Sequence, residues 1–155
     1  MAKSSSTVFQ NFLRMQSSVS ESGTSLAAFR LYAWEILRDL YLPDAHSTED
    51  IDCTATSGYS WVHTVCHLDL RSDVLDRSLL AFCAIQVHIS EPSSISREYA
   101  LELYSHALPE LVRSLDLDYE RSQDETLGAI VVLSTCEVRF NPSSSIYSGT
   151  LTFTV

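Results

Sequence analysis

Glycine and proline are scarce in this chain, four of each among 155 residues. The glycines stand isolated at 23, 58, 128 and 149, which excludes a Gly-rich phosphate loop and a Gly-x-Ser-x-Gly nucleophile elbow. Lysine is almost missing: Lys3 accompanies nine arginines against 20 acidic residues, for a net charge of −10. A chain this acidic repels nucleic-acid phosphates, so no direct DNA binding is expected of it. Cysteine is sparse as well, at 53, 66, 83 and 136, with no C-x2-C pair. That spacing supports neither a disulfide framework nor a zinc module. Apolar runs such as Ala129–Leu133 fall far short of the ~20 residues that span a bilayer, so no membrane partner is expected. Met1-Ala2-Lys3 followed by serines does not resemble a signal peptide. The chain reads as an intracellular soluble protein.

What is present suffices for one domain. Hydrophobic residues make up 45% and charged residues 19%, a balance that excludes a wholly disordered chain. The 25 serines supply the punctuation, clustering at 4–6, 17–25, 93–96 and 143–148. Between them lie helical patterns. Val8, Phe9, Phe12 and Leu13 predict a short helix within Thr7–Met15. Ser25 caps a second, whose stripe is Leu26, Phe29, Ala33, Ile36, Leu37 and Leu40 and which Pro43 stops. Ala45–Ser60 is polar and acidic and reads as a loop. Ser72 opens a helix that runs to about His88 through Val74, Leu75, Leu79, Phe82, Cys83 and Gln86. A fourth spans about Ser96–Ser114 with Ala100, Tyr104, Ala107, Leu111 and Leu115 on one face, and Pro109 should kink or split it. A Ser122/Glu125 capping box starts a last helix through Leu127, Ile130, Val131 and Ser134 to about Val138. The expected fold is all-α, an irregular array of about four to six helices with disordered Ser-rich ends. It divides into a Ser-rich segment over 1–25 with its short helix, a helical domain over 26–139 and an unstructured Ser/Thr-rich tail over 140–155.

His63-Thr64-Val65-Cys66-His67 is the sharpest candidate for chemistry, because residues four apart share a helical face. A zinc peptidase needs a glutamate directly after the first histidine, where Thr64 stands. A structural metal needs further ligands at motif spacing, and none is found. A small helical enzyme or metal-binding protein would therefore have to rely on His63, Cys66 and His67 alone. Cys83 and Cys136 fall on apolar helix faces, where a thiol behaves as a small hydrophobe. Asp116-Leu117-Asp118-Tyr119-Glu120 begins like a calcium loop but has Arg121 where the turn requires glycine. Trp34 and Trp61 read as core or interface anchors. No catalytic, metal-ligating or cofactor-binding residue is assigned, and no cofactor is expected.

The helical middle is more specific. Val74-Leu75-Asp76-Arg77-Ser78-Leu79-Leu80-Ala81-Phe82-Cys83 is followed by Ser96-Arg97-Glu98-Tyr99-Ala100-Leu101-Glu102-Leu103-Tyr104-Ser105-His106-Ala107-Leu108. Then comes Asp124-Glu125-Thr126-Leu127-Gly128-Ala129, leading to Cys136-Glu137-Val138. In order and spacing this set resembles the middle homology region of fungal zinc-cluster transcription factors, the fungal-specific transcription factor domain. Trp61 also falls where such proteins often carry a tryptophan. The resemblance spans about Trp61–Val138, with weaker agreement over Phe29–Leu42; Pro109 and Cys136 depart from it, and Arg139–Val155 matches nothing in it. The family's amino-terminal six-cysteine DNA-binding module has no counterpart here, so the resemblance implies a fragment of such a regulator or a nonfunctional truncated gene product. It further implies a helical regulatory and protein-interaction domain in the nucleus (otherwise cytoplasmic), not an enzyme, serving for instance a specialised-metabolite gene cluster. Its partners would be the transcription machinery or a full-length regulator. Helices deprived of downstream neighbours should leave parts of Leu111, Leu115, Ile130 and Leu133 wet and promote self-association.

Overall fold

The computed structural model describes residues 5–20, 26–41, 57–68, 72–117 and 123–140. Among them six helices follow one another with no strand: α1 (Ser5–Ser20), α2 (Leu26–Leu40), α3 (Ser57–Cys66), α4 (Asp73–Ser90), α5 (Arg97–Asp116) and α6 (Asp124–Phe140). The chain is all-α.

The array is organised around α4, on which α1, α2, α5 and α6 all pack. From Ser78 to Val87 every residue of α4 is buried. A helix can be enclosed in this way only if it is apolar on all sides, as Leu79-Leu80-Ala81-Phe82-Cys83-Ala84-Ile85 is. Ser72 caps it as expected, its Oγ accepting the Leu75 N–H at 3.4 Å, and Asp73 and Asp76 occupy the first turn, where the helix dipole favours anions. One of the two polar side chains inside it is satisfied: the Ser78 hydroxyl donates to the Val74 carbonyl at 2.6 Å. The other, Gln86, has a buried Nε2 with no hydrogen-bond partner. At the far end the His88 ring bonds the Ile95 carbonyl through Nδ1 at 2.8 Å and ties down the turn into α5.

Small residues set how closely the outer helices approach. Ala100, Ala107 and Ser114, seven apart, are the buried line of α5. Gly128, Ala129 and Cys136 are buried on α6, where a Cβ on Gly128 would sit 3.4 Å from Val65 and 3.5 Å from Leu75, in ordinary contact. α1 is longer than the short helix expected and belongs to the core, with Val8, Phe12 and Met15 buried. Asn11 donates to Glu35 of α2 at 3.2 Å, and Gln16 donates to the Tyr99 hydroxyl of α5.

Several expectations need correction. The loop read over Ala45–Ser60 ends earlier, since Ser57–Ser60 already belong to α3. Proline at 109 does not split α5, which runs unbroken from Arg97 to Asp116. Pro109 and Ser105, the residue whose carbonyl loses its amide partner, are both exposed, so water can replace the missing bond. On α6 the core face is Glu125, Thr126, Gly128, Ala129, Val132, Leu133 and Cys136, and Leu127 and Val131 point outward. Leu133 is therefore dry, and Leu111, Leu115 and Ile130 are half-buried. With Leu127, Ile130, Val131, Val132 and Leu133 spread around the helix, apolarity alone does not select its inner side; the small residues do. Ser122 of the anticipated capping box lies outside the described residues, as do the Ser/Thr-rich tail from 141 onward and Cys53.

Because Pro109 sits in a regular, solvent-facing turn, Pro109→Ala should restore the Ser105 hydrogen bond and remove the ring clash. We expect it to stabilise the fold by roughly 1–3 kcal/mol and to raise Tm by several degrees in a calorimetric scan. An unchanged or lower Tm would contradict a regular α5.

Candidate functional site

α3 is ten residues long and contains Gly58, Thr64 and the β-branched Val62 and Val65, so its own helical propensity is weak. It is held by a side chain from α2. Arg30, 4% exposed, donates through Nη1 to the Val65 and Leu68 carbonyls at 3.2 and 3.1 Å. Its Nε and Nη2 reach Asp76 Oδ1 of α4 at 3.1 and 3.0 Å. A cation on the last carbonyls of a helix satisfies groups that otherwise lack partners and complements the negative end of the dipole. Arg30 was missing from the sequence-based core, although it lies one turn after Leu26 and three residues before Ala33, within their apolar stripe.

On the outer side of α3 the two imidazoles meet. The His63 and His67 rings stack with centroids 4.0 Å apart, and Trp34 packs edge-on against both, at 5.3 and 6.0 Å. The His67 Nδ1–H donates to the His63 carbonyl at 2.7 Å, which holds the ring in place. Burial, and then the neighbouring His67, lower the pKa of His63 from the ordinary 6.5. Cys66 does not join them. It is buried beneath the helix, and burial pushes its thiol up to about 12, against a smaller downward pull from Arg30. Burial likewise raises Cys83, and it raises Cys136 to about 12. These thiols stay protonated at neutral pH and cannot act as nucleophiles. Among the described residues, no three His, Cys, Asp or Glu side chains converge into a metal-ligand set.

Beside this cluster lies a cavity of about 520 Å³ bordered by Leu26, Ala27 and Leu31 of α2 and by Cys66, His67 and Leu68. Arg30 forms part of its wall, but its guanidinium is already engaged by Asp76 and two carbonyls. Trp61, the second tryptophan, packs against Phe82 and Tyr41 with ring centroids 6.1 Å from each, as a core anchor. Around α3 the aromatic rings, the Arg30 guanidinium and the buried Cys66 are all engaged in packing.

A different surface was not anticipated in its actual position. On α6 the exposed residues Leu127, Val131 and Val138 are 53%, 43% and 58% accessible. Their spacing of four and seven puts them on one line, opposite the core face. The signal was present in the sequence as a helix with more apolar residues than one buried face can hold.

The His63–His67 stack makes a pH-dependent prediction. Unfolding returns His63 to its ordinary 6.5, so below that value the unfolded chain binds more protons than the folded one. The stability His63 contributes is complete above 6.5 and declines as pH falls through 6.5 toward the lowered folded value. Titrated by NMR, the His63 ring should show a depressed midpoint that rises part-way in His67→Gln, since burial is the larger cause. A midpoint unmoved by that substitution would contradict the coupling. Comparison with known proteins adds no relative: no family model, curated protein or solved structure matches this chain.

Proposed function

We propose that this chain is a regulatory, protein-interaction domain of the kind found in the middle region of fungal zinc-cluster transcription factors. It acts in the nucleus through contacts with protein partners and not through catalysis. The observation that carries the reading is the apolar line Leu127, Val131 and Val138 on the outside of α6. Apolar side chains aligned on a solvent face leave hydrophobic surface wet, and burying such surface favours association with a partner. The three sequence runs that resemble the family correspond to α4, α5 and α6, which pack on one another as a unit. With the thiols held protonated and Arg30 fully engaged, the remaining chemistry suits recognition better than turnover.

The direct test fuses the full chain to an unrelated sequence-specific DNA-binding module in a fungal host and reads a reporter. A regulatory domain should raise or lower expression several-fold relative to the module alone. A fusion indistinguishable from the bare module would contradict the proposal.

A further inference from the structure

We infer that the outer groove between α5 and α6 docks a cationic amphipathic helix of a partner protein; this inference rests on the interaction-domain reading and names the partner's chemistry. α5 and α6 lie side by side and antiparallel, since the Tyr104 hydroxyl donates to Glu137 at 2.7 Å and Arg97 stands over the Phe140 ring, 5.7 Å from its centroid. Leu101, Leu108 and Val112 on α5 recur at intervals of seven and four. They lie on the side of α5 adjoining Tyr104, the residue that meets α6. On α6 the line Leu127, Val131 and Val138 lies beyond Glu137, the residue that meets α5. The two apolar lines therefore lie on the outer side of the α5–α6 pair and border the groove between them, with the exposed Tyr104–Glu137 hydrogen bond bridging the two helices. From Leu101 to Val112 the groove runs roughly 17 Å, long enough for about three helical turns of an occupant.

Charge selects the occupant. Glu98 and Asp116 flank the α5 line, Asp124 flanks the α6 line, and all three are exposed. Glu137 adds a carboxylate between the two helices. Two arginines of these helices are directed elsewhere, Arg113 held by Glu110 at 2.8 Å and Arg139 lying over Tyr41, while Arg97 stands at the Phe140 end of the groove. An apolar groove with an acidic rim complements a helix with an apolar stripe bordered by Lys or Arg. A second copy of this chain would bring the same acidic rim and a net charge of −10, and like charges would oppose it.

The test titrates the full chain with a labelled 14-residue Leu/Lys amphipathic helical peptide and with its Leu/Glu counterpart, following anisotropy at two salt concentrations. Saturable one-to-one binding of the Leu/Lys peptide is expected, weakened by salt, with the Leu/Glu peptide bound at least about tenfold more weakly. Val112→Glu and Val131→Glu, both at solvent-facing positions and checked by circular dichroism, should each weaken binding about tenfold. Adding a negative charge would strengthen mere adsorption of a cationic peptide, so the two explanations predict opposite directions. Equal binding of both peptides, no binding, or unchanged affinity in the valine variants would overturn the inference. So would a dimer in sedimentation that Val131→Glu dissolves, because the face would then belong to a second copy. In the reporter fusion, a Val131→Glu chain that keeps its full effect removes the groove and leaves the interaction-domain reading intact; an inert wild-type fusion removes that reading itself.

Discussion

The guanidinium of Arg30 joins three helices from inside the core, and much of the remaining architecture follows from that junction. It rises from α2, closes the carbonyl end of α3 and meets Asp76 in the first turn of α4. α3 is too short to persist alone in water, where isolated helices need about 12–15 residues to become even marginal. Anchored by Arg30, it delivers Val62, Val65 and Cys66 to the core and holds Trp61 against Phe82. The same anchor turns His63 and His67 outward toward Trp34. A buried cation is stable only when its donors are satisfied, and here two carbonyls and a carboxylate share that role.

α4 imposes the second constraint. Because Ser78–Val87 is enclosed, the helices around it must cover every side: α1 and α2 do so with large side chains such as Phe12, Met15, Phe29 and Ile36, whereas α5 and α6 turn small residues inward. Ala100, Ala107 and Ser114 do this on α5, and Gly128, Ala129 and Cys136 on α6. Val132 and Leu133 join them on the core face of α6, while Leu127, Val131 and Val138 are left outside. The apolar line of Leu127, Val131 and Val138 is thus a consequence of the packing preference for small residues, and it leaves the molecule with a hydrophobic outer face on an acidic surface. The proposed interaction role follows from that combination of a dry interior, protonated thiols and an apolar exterior.

How far the sequence foretold this can be traced residue by residue. Ser72 and Ser96 marked helix starts correctly because a hydroxyl satisfying a free amide is a local event. The stripe Phe29, Ala33, Ile36 and Leu37 was legible because polar residues alternate with it at helical spacing. α3 was not, since its β-branched residues and Gly58 weaken the local pattern and its stability comes from Arg30, distant in sequence. The inner face of α6 was illegible for the opposite reason, an excess of apolar residues that only tertiary packing can sort. For the candidate site, the spacing of His63 and His67 announced their meeting, whereas the inward turn of Cys66 depended on which side of α3 faces the core.

The claim that Arg30 and Asp76 work as a unit is tested most directly by a double-mutant cycle in urea, with Arg30→Met, Asp76→Ala and the double variant. The account predicts that each single substitution is destabilising, Asp76→Ala because it leaves a buried cation without its carboxylate. The double variant should lose less than the sum of the two, with a coupling of roughly 1–3 kcal/mol. Costs that add to within about 0.5 kcal/mol would mean that the two side chains act independently, and would contradict the account.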